Sequence, residues 1–165
     1  MSRIGADGYI WLVLALIVAL WQRRAAPLIL VIVADALGQL ESTLGKALIP
    51  RDRPRDNPLI HVPATHSFPS GHAASSFACA TVLAAVVPRF RVAFFVLAAA
   101  IAWSRVYNGV HWPSDVLAGA LLGVATGLLL LIISRRVSAH DSTPEPGLAG
   151  REAKDEMEMR SRKGR

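Results

Sequence analysis

The sequence has little charge, few aromatic side chains and one cysteine. Only 18% of its 165 residues are charged and 7% are aromatic, whereas 53% are hydrophobic. So much apolar sequence in a chain of one-domain length exceeds what a soluble core can bury. This composition excludes intrinsic disorder of the whole chain and indicates contact with lipid. The single cysteine, Cys79, excludes an internal disulfide framework.

Acidic residues are scarce between residues 8 and 134. The five in this region are Asp35, Glu41, Asp52, Asp56 and Asp115. From residue 135 onward the chain carries eight Lys or Arg and six Asp or Glu. We therefore predict a transmembrane domain over residues 1–134 and a charged, disordered cytoplasmic tail over residues 135–165. No basic face interleaved with aromatic residues is present, so a nucleic-acid partner is not expected.

Five apolar stretches are candidates for membrane-spanning helices, because about 20 apolar residues in a helix cross about 30 Å of hydrocarbon. They lie at residues 9–21, 25–49, 71–87, 92–107 and 113–133. The first is short, and a cleaved signal peptide is its alternative, although only Arg3 precedes it and no small-residue cleavage site follows. We predict an all-α, polytopic transmembrane helical bundle of about five spans.

Short arginine-containing segments connect the predicted spans on one membrane side. They cover residues 22–24, 88–91 and 134–136, and the positive-inside rule places them in the cytoplasm. Five spans then put the N-terminus outside, the tail inside, and both the polar segment 50–67 and the turn 108–112 on the outer face. Three arginines in that polar segment oppose the rule, namely Arg51, Arg53 and Arg55.

Helix parity brings three polar motifs to the same outer face. They are Lys46-x6-Arg53-Pro54 after the second span, Pro69-Ser70-Gly71-His72 at the start of the third, and Ser104-Arg105-x5-His111-x3-Asp115 between the fourth and fifth. Ser70 is placed to be the N-cap of the third span, and Gly71 permits close backbone approach. Unpaired N–H groups at such a helix start bind anions.

In this order, the motifs resemble the three signature motifs of the type 2 phosphatidic acid phosphatase (PAP2) superfamily, also called lipid phosphate phosphatases. That superfamily shares its core with the vanadium haloperoxidases. All signature residues are present, and the motifs with their spans cover residues 46–133. The resemblance implies a PAP2/haloperoxidase-like helical core and hydrolysis of a lipid phosphate. Members commonly have six spans, whereas this sequence predicts five.

The residues themselves suit a phosphate ligand. A phosphate monoester carries close to two negative charges near neutral pH. Lys46, Arg53 and Arg105 can supply fixed positive charge, and the amides near Ser70 and Gly71 can add aligned donors. The sequence has no acidic cluster of the kind that holds Mg²⁺ in phosphoryl-transfer enzymes. We therefore predict catalysis without a metal or another cofactor.

Two histidines and one carboxylate can divide the chemistry between them. His111 can attack phosphorus through one ring nitrogen while Asp115 accepts a hydrogen bond from the other and fixes the tautomer. His72 can protonate the leaving oxygen and then activate water. The resemblance implies the same roles for these positions. Because one histidine must be neutral while the other is charged, we predict a bell-shaped pH profile.

Several further residues have structural interpretations. His61 and His66 are expected to be loop residues, with a metal site that includes His72 as the alternative. The four tryptophans suit an interfacial belt; they are Trp11, Trp21, Trp103 and Trp112. Asp52 and Asp56 are expected to pair with neighbouring arginines.

Inside the predicted bilayer region, two acidic residues and three glycines also need an explanation. Asp35 shares a helix face with Gln39, and for Asp35 and Glu41 we predict a structural hydrogen-bond network, with headgroup binding or proton handling as the alternative. Gly119, Gly123 and Gly127 recur every four residues, a spacing that favours close helix packing.

The sequence thus predicts a phosphatase that acts on a lipid phosphate at the outer face of the cell membrane. Polyprenyl phosphate or diphosphate is the favoured substrate. Phosphatidylglycerophosphate, phosphatidic acid and a decaprenylphosphoryl pentose phosphate remain open. So do a vanadate-dependent oxidant, a non-catalytic lipid binder or transporter, and assembly into a homo-oligomer.

Overall fold

The computed structural model describes residues 8–54 and 58–141, with side chains described as far as residue 137. The described residues form five α-helices, and a short 3-10 turn at Pro88–Phe90 precedes the fourth. The helices are α1 (Gly8–Gln22), α2 (Ala26–Leu48), α3 (Gly71–Val86), α4 (Arg91–Tyr107) and α5 (Pro113–Asp141). No strand occurs within these residues. The all-α prediction is therefore confirmed.

The helix bounds agree with the predicted spans within one or two residues, except at the end of α5. That helix continues to Asp141, so the domain boundary predicted at residue 134 falls inside it. The rest of the predicted tail, residues 142–165, lies outside the described residues. The chain divides into two compact units, the first ending at Leu131 and the second beginning at Ile132. All candidate site residues belong to the first unit.

Helix α3 lies at the centre of the first unit and contacts α1, α2 and α4. Eleven of its sixteen residues are buried, and most of them are Ala, Ser, Gly or Cys. Small residues of this kind let neighbouring backbones approach closely. Membrane helices associate through such close packing, because the hydrophobic effect does not drive helices together inside a bilayer. Burial on every side also explains why α3 has no distinct apolar face.

Glycines on α2 and α5 form the packing seams against α3. A Cβ at Gly38 would lie 2.7 Å from Ser75 Cα, and a Cβ at Gly119 would lie 2.5 Å from the Ser70 carbonyl oxygen. Gly127 is equally confined, because its Cβ would lie 2.7 Å from Thr81 Cβ. The prediction that the glycine spacing on α5 reflects close packing is confirmed.

The other helices expose large apolar side chains, as expected of a surface in contact with lipid. Ile17, Ile29, Val96 and Leu121, on α1, α2, α4 and α5 respectively, are all more than half exposed. Among the described residues, three apolar segments are long enough to cross a membrane, namely Ala26–Leu48, Pro88–Tyr107 and Pro113–Val137, while α1 and α3 are shorter. The 16 residues of α3 extend only about 24 Å.

The acidic residues of α2 take part in a hydrogen-bond network, as predicted. Glu41 accepts a hydrogen bond from the Thr126 hydroxyl of α5. Asp35 is hydrogen-bonded to the Ser75 side chain of α3, and Gln39 Nε2 donates to the same hydroxyl over 3.4 Å. Pairing with polar side chains inside the bundle offsets part of the cost of placing carboxylates at membrane depth.

The prediction for Trp11 is wrong. Trp11 is fully buried in the core, and its indole N–H donates to Ser76 Oγ of α3 over 3.2 Å. A buried tryptophan needs a partner for its N–H, and the serine-rich surface of α3 supplies one. Trp21 and Trp103, at 62% and 67% exposure, remain consistent with an interfacial belt.

Different loops and motifs lie at the two ends of the bundle. At one end, Gln22 Nε2 donates to the Val86 carbonyl over 3.5 Å, so the turn after α1 lies beside the end of α3. The other end, here called the site end, contains the end of α2, the start of α3 and the turn between α4 and α5. The predicted convergence of the three motifs at one end of the bundle is confirmed.

Candidate active site

His111 and Asp115 lie where α5 begins, and both are buried, with 4% and 0% exposure. The Trp112 backbone N–H donates to Asp115 Oδ2 over 2.9 Å, which fixes the first turn of the helix. Asp115 Oδ2 also faces His111 Nδ1 at 3.6 Å. This separation is too long for the hydrogen bond predicted between them, and His111 Nδ1 is buried without a partner among the described residues.

Arg53 occupies the other side of the His111 ring. Its Nη1 atom lies 3.2 Å from His111 Nε2 and donates to the Val110 carbonyl over 2.7 Å. Three more hydrogen bonds anchor the guanidinium to the loop, two to Thr65 and one to the His66 carbonyl. Because a guanidinium has no acceptor, Nε2 must be the acceptor, and the proton of the neutral ring is on Nδ1. This is the tautomer that the predicted mechanism requires.

The electrostatics of the site favour a neutral His111. Burial, followed by the positive charges of Arg53 and Lys46, lowers the pKa of His111 to about 3. The charge of His72 acts in the same direction, while a hydrogen bond with the Ser67 backbone opposes it. Burial also lowers the pKa of Arg53 from its ordinary value, and Asp115 partly offsets that effect. Arg53 stays charged at neutral pH, because a guanidinium does not lose its proton there.

The second motif forms the start of α3. Ser70 is the N-cap residue, as predicted, but its hydroxyl does not cap the helix. The Ser70 backbone N–H donates to the Asp115 carbonyl over 3.0 Å, while its fully buried Oγ has no partner among the described residues. A buried hydroxyl without a protein partner at a helix N-terminus is well suited to bind an anion.

Gly71 permits close approach, as predicted, but the neighbour is helix α2. A Cβ at this position would lie 2.9 Å from Ser42 Oγ and 3.0 Å from Gln39 Oε1. Ser42 also donates to the Pro69 carbonyl over 3.1 Å. The glycine therefore fixes the position of the second motif against α2.

The remaining predicted site residues lie at the ends of their helices. Lys46 is half-buried in the last turn of α2, and His72 is half-buried in the first turn of α3. Both are close enough for their charges to lower the pKa of His111. Arg105, in the last turn of α4, is half-buried and donates from Nε to Ser104 Oγ over 3.0 Å.

Arg51 is a site residue that the sequence interpretation missed. Its Nη1 donates to Asp115 Oδ1 over 2.8 Å and to Ser114 Oγ over 2.7 Å. The sequence showed only a basic residue in an outer loop, since nothing in the spacing connects positions 51 and 115. The expected pairing of Asp52 and Asp56 with neighbouring arginines stays a prediction, and Asp56 lies outside the described residues.

A cavity of about 390 Å³ adjoins the site on the loop side. Arg51 and Arg53 line one part of it, and loop residues from Pro58 to His66 line the rest. His61 is exposed, as expected of a loop residue. In the part of the chain that the structure describes, no group of three or more His, Cys, Asp or Glu side chains is arranged to hold a metal ion. The alternative metal site with His61, His66 and His72 is therefore not formed there.

Comparison with known proteins identifies the family. The model of the PAP2 superfamily matches residues 8–138, so the chain belongs to this superfamily. It is 38% identical to decaprenylphosphoryl-5-phosphoribose phosphatase of Mycobacterium tuberculosis, over 79% of this chain and 75% of that protein. It is also 38% identical to lipid A 1-phosphatase of Porphyromonas gingivalis, over 59% of this chain. The match spans only 22% of that relative's length.

Among solved structures, LpxE of Aquifex aeolicus has the same fold. The two chains superpose with a TM-score of 0.61 and 29% sequence identity, over 76% of this chain and 81% of LpxE. Together with the apolar helices, this similarity establishes a multi-pass membrane protein with a PAP2-type helical core.

Proposed function

We propose that this protein is a phosphatase that hydrolyses a lipid phosphate through a phosphohistidine at His111. The observation that carries the proposal is the environment of this residue. Its imidazole is buried and neutral, Nε2 faces Arg53, and Nδ1 faces Asp115. A neutral histidine with an orienting carboxylate behind it and a fixed cation in front is equipped to attack an anionic phosphoryl group.

In the first step, a phosphoryl group binds between the cations and the start of α3. Lys46, Arg53 and Arg105 supply positive charge, and the Ser70 hydroxyl and the Gly71 amide supply donors. A phosphoryl oxygen accepts the Arg53 hydrogen bond that His111 Nε2 accepts in the free protein. The nitrogen lone pair is then available for attack on phosphorus. Substrate binding and activation of the nucleophile are thereby coupled.

In the chemical step, the bond between His111 Nε2 and phosphorus forms while the bond from phosphorus to the leaving oxygen breaks. The imidazole becomes positively charged, and a small shift of the 3.6 Å separation brings Nδ1–H into hydrogen-bond range of Asp115 Oδ2. Protonated His72 gives its proton to the leaving oxygen. Neutral His72 then removes a proton from water as the water attacks phosphorus, and the break of the nitrogen–phosphorus bond releases phosphate.

The favoured substrate is a polyprenyl phosphate or diphosphate. Apolar side chains cover the outside of the helices, so the lipid tail can stay in the bilayer while only the headgroup enters the site. The name of the Mycobacterium tuberculosis relative specifies a decaprenylphosphoryl compound, which is also a polyprenyl lipid. Phosphatidylglycerophosphate, phosphatidic acid and the decaprenylphosphoryl pentose phosphate itself are the competing substrates.

The site faces the outer side of the membrane in this proposal. The turn that contains Arg23 and Arg24 lies at the opposite end of the bundle, next to the end of α3. The segment with Arg89 and Arg91 directly follows α3. Basic turns of this kind prefer the cytoplasm, which leaves the site end outside and residues 135–165 in the cytoplasm.

The test is phosphate release by the purified full-length chain in detergent, from a panel of lipid phosphates, with and without chelator. We expect the highest rate with a polyprenyl substrate and the same rate with chelator. His111→Ala is expected to lose at least about 1,000-fold in rate. The control is His61→Ala, which alters an exposed loop histidine and should leave the rate unchanged.

A labelled substrate tests the intermediate directly. Rapid denaturation during turnover should leave acid-labile phosphate attached to the wild-type chain and none attached to His111→Ala. Turnover retained by His111→Ala at a near wild-type rate would refute the role of His111. Loss of activity with chelator that added metal restores would refute metal independence.

A further inference from the structure

Arg51 connects the loop after α2 to the first turn of α5, and it occupies one of the six unspecified positions of the first motif, Lys46-x6-Arg53-Pro54. We propose that Arg51 is a positioning residue, which holds the Asp115 carboxylate in the orientation that His111 needs during phosphoryl transfer. This inference rests on the proposed function. It goes beyond that function by assigning a role to a residue that contacts neither the phosphoryl group nor the reacting nitrogen.

The first argument is the way in which Asp115 is held. Arg51 Nη1 donates to Oδ1 over 2.8 Å, and the Trp112 backbone N–H donates to Oδ2 over 2.9 Å. With both oxygens anchored, the carboxylate cannot rotate. Its Oδ2 atom therefore stays opposite His111 Nδ1 at 3.6 Å. Without Arg51, only the Trp112 amide among these contacts would restrain the carboxylate, and Oδ1 would lose its partner.

The second argument is charge. Asp115 has no exposed side-chain surface, and an ionised carboxylate in such a place needs a cation with hydrogen-bonding geometry. Arg53 is near, but its Nη1 contacts Val110 and the opposite edge of the His111 ring. Among the described residues, Arg51 is the Arg or Lys that forms an ion pair with Asp115. It therefore supplies the charge that the buried carboxylate needs.

The third argument is the rigidity of Arg51 itself. Its carbonyl accepts hydrogen bonds from the Ser67 backbone N–H and from Ser67 Oγ, over 2.9 and 3.2 Å. Its guanidinium carbon lies 5.6 Å from the centre of the Trp112 ring, within the range of a cation–π contact. Ser67 also interacts with His111 through its backbone. Both the main chain and the side chain of Arg51 are thus connected to groups that touch His111.

Steady-state kinetics test this role with Arg51→Gln, Arg51→Lys and the control Arg89→Gln, which lies at the opposite end of the bundle. Loss of a hydrogen-bond partner that orients a metal-binding side chain typically costs about 10- to 100-fold in activity, and we take the same range for a carboxylate that orients a histidine. We expect Arg51→Gln to lower kcat by about that factor and to change KM by less than about threefold. Arg51→Lys should recover a large part of kcat, and Arg89→Gln should match the wild type.

A double-mutant cycle with Asp115→Asn separates positioning from direct phosphate binding. If Arg51 acts through the carboxylate, Arg51→Gln should cost less than about threefold in the Asp115→Asn background. Multiplicative losses in the double variant would overturn the proposal. A raised KM with unchanged kcat would overturn it too, because that result identifies Arg51 as a substrate ligand.

A second measurement needs no turnover and distinguishes failure of this inference from failure of the proposed function. In protein with ¹⁵N-labelled histidine, the His111 signals are assigned by their absence in His111→Ala. We expect wild-type shifts of the Nδ1–H tautomer, and Arg51→Gln should move both ring nitrogens while Arg51→Lys moves them less. If the wild type hydrolyses no lipid phosphate but these shifts occur, the positioning role stands and the proposed function fails. Identical His111 shifts in wild type and Arg51→Gln would overturn the positioning role.

Discussion

His111 differs from an ordinary histidine because of what surrounds it. Burial and the charges of Arg53 and Lys46 lower its pKa to about 3, well below the ordinary value of about 6.5. The ring is therefore neutral at neutral pH, and in the proposed mechanism its Nε2 lone pair becomes available when Arg53 binds phosphate. This arrangement supports the proposal that His111 is the nucleophile and that His72 is the proton donor.

The low pKa predicts how activity changes with pH. Since kcat/KM reports the free protein, its acid limb should follow His111 and lie near the pKa of about 3, far from the ordinary histidine range. The alkaline limb should follow loss of the proton from His72. The measurement is kcat/KM against pH, together with an NMR titration of His111.

The charge of Lys46 provides a check on this prediction. Lys46→Met removes one of the positive charges that lower the pKa of His111, so the His111 titration should move to higher pH. The control Lys154→Met alters a residue far along the sequence, beyond α5, and should leave the titration unchanged. A wild-type His111 that titrates near pH 6.5, which is about the value for an unperturbed histidine, would contradict the argument.

At the scale of elements, the site depends on how closely α5 and α2 pack against α3. Glycines at positions 38, 119, 123 and 127 bring these backbones together, and the Ser70 amide can then donate to the Asp115 carbonyl over 3.0 Å. This hydrogen bond joins the second motif to the third. Helix packing therefore fixes the position of the start of α3 relative to the start of α5, which lies next to His111.

This packing predicts that a larger side chain at Gly123 destabilises the protein. A Cβ there would collide with the Ala74 carbonyl group and lie 3.0 Å from the Ala78 nitrogen, both of which are backbone atoms that cannot move aside alone. Gly123→Val should cost about 1–3 kcal/mol or more, the usual range for overpacking. Thermal unfolding in detergent should show a lower Tm than in Ala125→Val, which adds the same bulk at an exposed position of the same helix. Equal Tm values for the two variants would contradict the packing account.

At the scale of the whole molecule, the order of the helices places the candidate active site and the basic turns at opposite ends of the bundle. The site end contains the residues of the three motifs, whereas Gln22 and Val86 meet at the opposite end beside Arg23, Arg24 and Arg89.

Thiol labelling tests the proposed orientation. In a Cys79→Ala background, His61→Cys introduces a thiol in the site-end loop, and Arg89→Cys introduces one at the opposite end. In intact cells, a membrane-impermeant maleimide should label the first variant, while the second should need permeabilised cells. The reverse pattern would place the active site in the cytoplasm and overturn the proposed orientation.

The sequence determined the helices and the identity of most candidate site residues. Apolar runs define helix bounds well in a membrane protein, because the bilayer leaves the backbone no other way to satisfy its hydrogen bonds. Turn residues such as Pro50 and Pro113 interrupt those runs where the helices end or begin. Helix parity then sufficed to bring Lys46, His72 and His111 to one end of the bundle.

Only the tertiary structure decided which groups touch. Trp11 matched an interfacial belt by its position, but the packing of α1 against α3 buries it. The partnership of Arg51 with Asp115 joins residues 64 positions apart, and no local spacing encodes such a contact. The low pKa of His111 likewise depends on burial and on charges from other helices. The pattern of apolar residues along the chain predicts where the helices are and that they lie in lipid. Side-chain contacts and pKa values depend on distances between residues of different helices, and those distances are set only when the helices pack.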